Sequence, residues 1–289
     1  MINGKTFFGN FIFDIDGTLT VVADYDAERI IKEIGEKFDD QYYQKHTIEV
    51  LGYAHHIFPG FYALFRWLDE LGANLIFFST GIKQRNVPFA EDFMRRAFGD
   101  RVSEVGYKVY SREDCIDTSG FMKEDDISRY QSVYYGQRKK KLGSVVAPES
   151  ELADSLLIDD DNSYMVKGEE YNFIHLDYCY DYLQRNYNNT LKDFTKFHRA
   201  YYLAGMFDKI FQVRQEKNGS LVEAAKYVQY DLENGYLSNS FFFPSIDKIE
   251  YYLKGFEILK KYDTDIEYYY PMPNPEEWLA KARGTFYRS

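Results

Sequence analysis

The chain has 289 residues, 45% hydrophobic and 28% charged, with a formal net charge of -11 at pH 7; its pI is about 5.0 and its mean hydropathy -0.50. That length suits one large domain or a catalytic domain of about 150–200 residues with an accessory part, and the apolar fraction is enough for a sizeable core. The acidic balance disfavours general binding to nucleic acid or anionic membranes, and no apolar run approaches the ~20 residues of a membrane span. The two cysteines, Cys115 and Cys179, exclude a disulfide framework and point to the cytoplasm or another reducing compartment. The N-terminal segment lacks the apolar stretch of a signal peptide, although export by a specialised route would leave no mark on these features. Aromatic residues reach 19%, with 28 Tyr and 24 Phe, and read as a Tyr-rich core and surface rather than a recognition face.

Residues 7–13 (FFGNFIF) are short and apolar and stop at Asp14, the pattern of a buried parallel strand. Residues 27–38 alternate charge and Ile at helical spacing. Pro59-Gly60 opens an amphipathic helix with Phe61, Leu64, Phe65, Leu68 and Leu71 on one side and Gly72 as its stop. NLIFF at 74–78 predicts a second strand, running into Ser79-Thr80-Gly81. A helix is expected over 89–98 and strands over 104–110, 155–158 and 173–177, the fourth strand ending in Asp159-Asp160-Asp161. Alternating strands and helices predict a parallel α/β sheet, whose ligand site lies beyond the carboxyl ends of the strands.

The texture changes near residue 180. Leu191, Phe194, Phe197, Tyr201, Phe207, Ile210 and Phe211 recur at near-helical spacing, Asn218-Gly219 breaks the run, and 220–233 and 246–261 read as further helices. PMPNP at 271–275 reads as a turn before a last short helix. The expected organisation is an α/β domain over 1–184 and an aromatic-rich helical subdomain over 185–289, sharing an apolar interface.

The chemistry concentrates in Asp14-Ile15-Asp16-Gly17-Thr18-Leu19-Thr20 after the first strand. Carboxylates at i and i+2 point the same way if strand geometry persists. A buried carboxylate is costly without a counter-charge, and Mg2+ is a natural one, since it takes oxygen ligands and substrate phosphate. Gly17 lets the chain turn close to a ligand, and Thr18 can hold the turn.

This motif resembles that of the haloacid dehalogenase (HAD) superfamily of phosphotransferases, D-x-D-G-T-hydrophobic-T. The resemblance implies Asp14 as nucleophile, forming an aspartyl-phosphate, and Asp16 as acid/base. It further implies a hydroxyl on a phosphoryl oxygen, supplied by Ser79 with Thr80 as neighbour. The family's lysine falls within Arg138-Lys139-Lys140-Lys141, with Lys140 the first choice and Lys141 the next. Asp159 and Asp160 match the acidic fourth motif and, with Asp14 and Asp16, are the implied Mg2+ ligands; Asp161 reads as a cap. Thr18, Thr80 and Lys141 complete the expected substrate contacts. The resemblance covers about residues 7–180 and implies a Rossmann-like sheet of HAD type.

Phe58-Pro59-Gly60 and Val109-Tyr110-Ser111-Arg112-Glu113-Asp114-Cys115 look like elements of the NLI-interacting-factor-like phosphatases, a branch that includes phosphatases of the RNA polymerase II C-terminal domain. The chain departs from that branch at Gly17, where Glu is usual, and at Phe58, where Arg is.

About 33 residues separate Thr20 from Ala54, room for one or two short helices and little else, so only a minimal cap is expected. An open site of this kind suits a phosphorylated protein or peptide, with phosphotyrosine and phosphoserine/threonine unresolved. Tyr25, Tyr42, Tyr43 and Phe58 are candidates for an aromatic rim. The alternatives are a small-metabolite phosphatase or phosphotransferase of the same fold, or a non-catalytic binding module. His55-His56 lacks further ligands at metal spacing and reads as a polar segment. Cys115 lacks the phosphate loop of a cysteine phosphatase and reads as a structural thiol.

Overall fold

In the computed structural model, which describes residues 7–21, 45–117, 138–145, 149–176, 199–231, 236–237 and 246–263, short apolar runs pair into a five-stranded parallel sheet. The main elements along the chain are β1 (Gly9–Phe13), β2 (Thr20–Val21), β3 (Thr47–Val50), β4 (Tyr53–Ile57), α1 (Phe61–Glu70), β5 (Ala73–Phe78), α2 (Lys83–Phe98), β6 (Tyr107–Tyr110), β7 (Ile116–Asp117), β8 (Arg138–Lys139), β9 (Ser155–Asp159), β10 (Phe173–His175), α3 (Arg199–Lys217), α4 (Leu221–Gln229) and α5 (Ile246–Leu259). The sheet order is β10-β9-β1-β5-β6. From β1 the chain winds through β5 to β6 on one side, and from β9 to β10 on the other. The direction therefore reverses between β1 and β9, and their carboxyl ends flank the crevice where ligands bind in open α/β sheets.

Every residue of β1 and β9 is buried, as expected for parallel strands covered on both faces. Alternate residues serve opposite faces. Phe11, Phe13, Leu75, Phe77, Leu156 and Ile158 join the larger apolar cluster, which takes in α1, α2, α3 and α4. Ile12, Ile76, Phe78 and Leu157 meet Leu142, Met165 and Phe173 on the other side.

The helix expected after Pro59-Gly60 is α1. Gly60 enters it in the left-handed region (φ 84°), which is open to glycine at little cost. Phe65 packs at a tilt against Phe13 and Phe93, at ring distances of 4.8 and 4.7 Å. Helix α2 begins at Lys83, six residues before the expected 89. Pro88 lies inside it, where it removes one ladder hydrogen bond, but the buried face of Phe89, Ala90, Phe93, Met94 and Ala97 carries the helix through. The strand expected over 104–110 is shorter, because 99–104 forms a 3-10 turn.

The described part of the interval before Phe58 is strand, where only room for one or two short helices was expected: β3 and β4 form with β2 an antiparallel sheet of order β2-β4-β3. Leu51 (φ 54°) and Gly52 (φ 79°) form the two-residue β3–β4 turn. Two consecutive positive φ values are the signature of a tight hairpin, and the turn escaped notice because Leu51 replaces the usual Asn or Asp. The helix expected over 27–38, the aromatics Tyr25, Tyr42 and Tyr43, residues 191–198, Cys179 and the segment after 263 lie outside the described residues.

The C-terminal helices lie against the sheet. Phe207 meets Phe11 at 5.1 Å, and Phe211 meets Phe8 at 4.7 Å and Trp67 at 5.6 Å. The start of α4 is tied to the loop before β9, where Leu221 N donates to Asp154 Oδ1 (2.8 Å) and Val222 N to the Ala153 carbonyl (3.0 Å). Helices α3 and α5 cross at Gly205 and Gly255, where an added Cβ would collide with the backbone of Tyr251 and Tyr201 respectively.

Candidate active site

Asp14 leaves β1 at its carboxyl end, with its amide donating to the Ile158 carbonyl at 2.9 Å. The next residues close a tight loop. Gly17 N donates to the Thr20 carbonyl (2.9 Å), Leu19 N to the Ile15 carbonyl (3.0 Å), and Thr20 Oγ1 to the same Ile15 carbonyl (3.2 Å). Gly17 has φ 80°, and a Cβ there would fall on the Asp160 carboxylate. Glycine is thus needed both for its conformation and for the close approach.

Across the switch point, β9 delivers Asp159 and Asp160. The carboxylates of Asp14, Asp159 and Asp160 are buried, and ligand atoms of the three lie within 4.8 Å of one another. Thr18 Oγ1 donates to Asp160 Oδ1 at 3.2 Å, and Asp161 N to Asp159 Oδ1 at 2.9 Å. Lys140 Nζ reaches between two of the carboxylates, 2.6 Å from Asp14 Oδ1 and 2.5 Å from Asp159 Oδ2. Its ammonium also lies 4.6 Å from the centre of the Tyr164 ring, a cation–π contact.

Three carboxylates around one ammonium leave buried negative charge. Burial pushes Asp14 up to about 8, against an offset from Lys140. Burial likewise raises Asp159, and raises Asp160 well above the usual carboxylate range with Asp14 and Asp159 adding to it. Burial opposes the charge on Lys140, but Asp14 and Asp159 outweigh it and hold the ammonium above its ordinary value. Three buried oxygen donors short of positive charge fit a hard divalent cation such as Mg2+.

Asp16 stands apart from this group. Its side chain is 28% exposed, and its Oδ2 accepts from Arg85 Nη2, while Oδ1 lies 3.9 Å from His55 Nδ1. Ser79 Oγ is 3.5 Å from Asp16 Oδ2 and accepts from Gly81 N at 3.2 Å. Asn86, fully buried, donates to the Gly81 carbonyl (2.9 Å) and to Ser111 Oγ (3.1 Å). Ser111 in turn caps the next turn with Asp114, and Arg112 Nε donates to the Thr80 carbonyl at 2.9 Å. The Ser-Arg-Glu-Asp-Cys segment thus buttresses the Ser79 loop.

The structure therefore joins Asp14, Asp159, Asp160 and Lys140 directly, with Thr18 on Asp160 and Ser79 beside Asp16. Asp16, expected among the metal ligands, lies outside the group formed by the Asp14, Asp159 and Asp160 carboxylates among the described residues. Thr80 Oγ1 is engaged with the Tyr164 hydroxyl at 3.3 Å. Lys139 Nζ donates to the Ser163 carbonyl, and Lys141 joins none of these contacts among the described residues. Phe58 is fully buried and no rim residue. The guanidinium of Arg199, from α3, stacks over it at 4.3 Å and donates through Nη1 to the Gly17 carbonyl.

Two site residues, Arg85 and Arg199, carry no expectation from the sequence, and a third, His55, expected in a plain polar segment, is buried beside Asp16. Arg85, four residues past Gly81, carried a signal in its position on the first turn after the Ser79 loop. His55 is buried on β4, and its ring nitrogens have no hydrogen-bond partner among the described residues; only the unforeseen hairpin brings it to Asp16. Nothing in the local sequence marks Arg199. No family model matches the chain, and no curated protein or solved structure matches it.

Proposed function

We propose that this chain is a Mg2+-dependent phosphomonoester hydrolase of the HAD type, with a Rossmann-like sheet and a C-terminal helical subdomain. The observation that carries the reading is Lys140 bridging Asp14 and Asp159 beside Asp160, groups from three separate segments of the chain meeting at the topological switch point. A bound Mg2+, held by Asp14, Asp159 and Asp160, would supply the charge that offsets the phosphoryl oxygens and the carboxylates.

In the proposed reaction an Asp14 oxygen attacks phosphorus, the P–O bond to the leaving group breaks, and Asp16 gives that oxygen its proton. Asp16 then takes a proton from water as the water oxygen attacks phosphorus, which breaks the bond to Asp14 and frees phosphate. Lys140 keeps Asp14 aimed and balances its charge. Ser79 offers a hydroxyl to a phosphoryl oxygen.

A phosphorylated protein or peptide is the substrate class we favour, since the reacting side of the loop is accessible at Asp16 and Arg85, whose side chains are 28% and 19% exposed. The β3–β4 hairpin favours a second reading, a small phosphorylated metabolite, because it brings His55 against Asp16 and so adds enclosure. Phosphate release from p-nitrophenyl phosphate with and without Mg2+ tests the activity. Catalytic efficiency on phosphopeptides against sugar phosphates and nucleotides tests the class; a metabolite preferred about tenfold over every phosphopeptide selects the second reading.

A further inference from the structure

Arg85 sits on the first turn of α2, and its side chain folds back over Gly81 into the site. A Cβ on Gly81 would collide with the Arg85 guanidinium and press on Asn86 Oδ1, so the missing side chain there makes the path. Arg85 Nε and Nη2 both donate to Asn86 Oδ1, at 3.1 and 2.9 Å. Asn86 is itself locked by the Gly81 carbonyl and Ser111 Oγ. The stem of the fork is therefore pre-oriented by a buried residue.

Its working end is less settled. Nη2 faces Ser79 Oγ at 3.1 Å and Asp16 Oδ2 at hydrogen-bond distance, in addition to Asn86. Its two hydrogens are thus shared among three acceptors. Nη1 has no hydrogen-bond partner among the described residues. The Arg85 and Asp16 side chains remain 19% and 28% exposed, so an incoming group can reach the pair. Ser79, the hydroxyl assigned to a phosphoryl oxygen, is one of the groups that Nη2 touches.

We propose, resting on the phosphohydrolase reading, that Arg85 is a catalytic residue that binds the phosphoryl group of the substrate. Without ligand it lies on Asp16 Oδ2. A phosphoryl dianion offers several oxygens to a planar fork whose second nitrogen is unused, a better match than one carboxylate oxygen already shared. Transfer of the fork to the phosphoryl oxygens frees Asp16 Oδ2 to exchange a proton with the leaving group. Lys140 at Asp14 and Arg85 at Ser79 then bring two cations to the phosphoryl site, which selects dianionic monoesters over diesters.

The experiment uses the full chain with saturating Mg2+. It measures KM and kcat on p-nitrophenyl phosphate and the inhibition constant of inorganic phosphate, for wild type, Arg85→Met and Arg85→Lys. Arg85→Met is expected to raise both KM and the phosphate inhibition constant by about ten- to a hundredfold, the loss of one hydrogen bond to a charged group. Arg85→Lys is expected to recover part of this, and melting temperatures to stay near wild type because the side chain is not in the core. Gly81→Ala, whose methyl blocks the guanidinium, is expected to act in the same direction. Unchanged phosphate inhibition in Arg85→Met, with only kcat reduced, makes Arg85 a clamp on Asp16 and overturns this assignment alone. A wild-type protein that neither releases nor binds phosphate overturns the phosphohydrolase reading and the assignment with it.

Discussion

Arg199, on α3, donates through Nη1 to the carbonyl of Gly17, the residue after Asp16. The same guanidinium lies 4.3 Å from the Phe58 ring centre, and its positive charge opposes the rise of the Asp160 carboxyl. A helix more than 180 residues downstream thus holds the loop that carries the proposed acid/base. Arg199→Met should leave the Gly17 carbonyl without this donor, a loss of about 1–3 kcal/mol, and should lower kcat with a smaller effect on KM. Equal kcat in the two proteins would show that the loop keeps its shape without α3.

Asp14→Asn should fold and lose nearly all phosphate release, because an amide is a poor nucleophile. It also removes a carboxylate that burial penalises, so the metal-free variant should melt no lower than wild type at about pH 8. Asp16→Asn should lose on the order of 10²–10⁴ in rate. Retention of more than about a tenth of wild-type rate by Asp14→Asn is incompatible with its role as nucleophile.

Acidity and metal should work against each other. The Asp14 carboxyl stands at about 8 in the fold, against an ordinary 3.8. The folded metal-free protein therefore holds a proton there that the unfolded chain has released. By linkage, stability in the metal-free state falls as pH rises from about 4 to about 8. A divalent cation displaces that proton, so the rise in melting temperature on adding Mg2+ should be larger near pH 8.5 than near pH 6. EDTA should abolish turnover, Mg2+ should restore it, and Ca2+, with its looser and larger coordination, should replace it poorly. Turnover unaffected by EDTA would point to another mechanism.

Gly255→Ala should separate α5 from α3, because the new methyl meets the Tyr201 carbonyl and no flexible side chain can yield. Overpacking of this kind costs about 1–3 kcal/mol or more. Tyr201 follows Ala200 and Arg199 on α3, and both Tyr201 and Ala200 pack against Gly60 at the head of α1. The melting temperature should therefore fall and kcat with it. An unchanged melting temperature in Gly255→Ala would mean that the two helices are not packed through these glycines.

What the sequence determined by itself was local. The apolar runs of β1, β5 and β9 and the helix after Pro59-Gly60 were legible because burial and periodicity are properties of neighbouring residues. So was the expectation that Asp14, Ser79, Asp159 and Asp160 stand at strand ends, since each lies at or just past the end of its apolar run. The choice of Lys140 from a basic run came from the family resemblance, and its contact with Asp14 and Asp159 is a tertiary fact. Tertiary structure alone decided that Asp16 lies outside the group formed by the Asp14, Asp159 and Asp160 carboxylates among the described residues. It alone brought His55 to Asp16, through strand pairing across residues 20–57, and Arg199 to Gly17, through packing of α3 on the core. Such contacts arise from long-range packing, and no nearby residue in the chain encodes them.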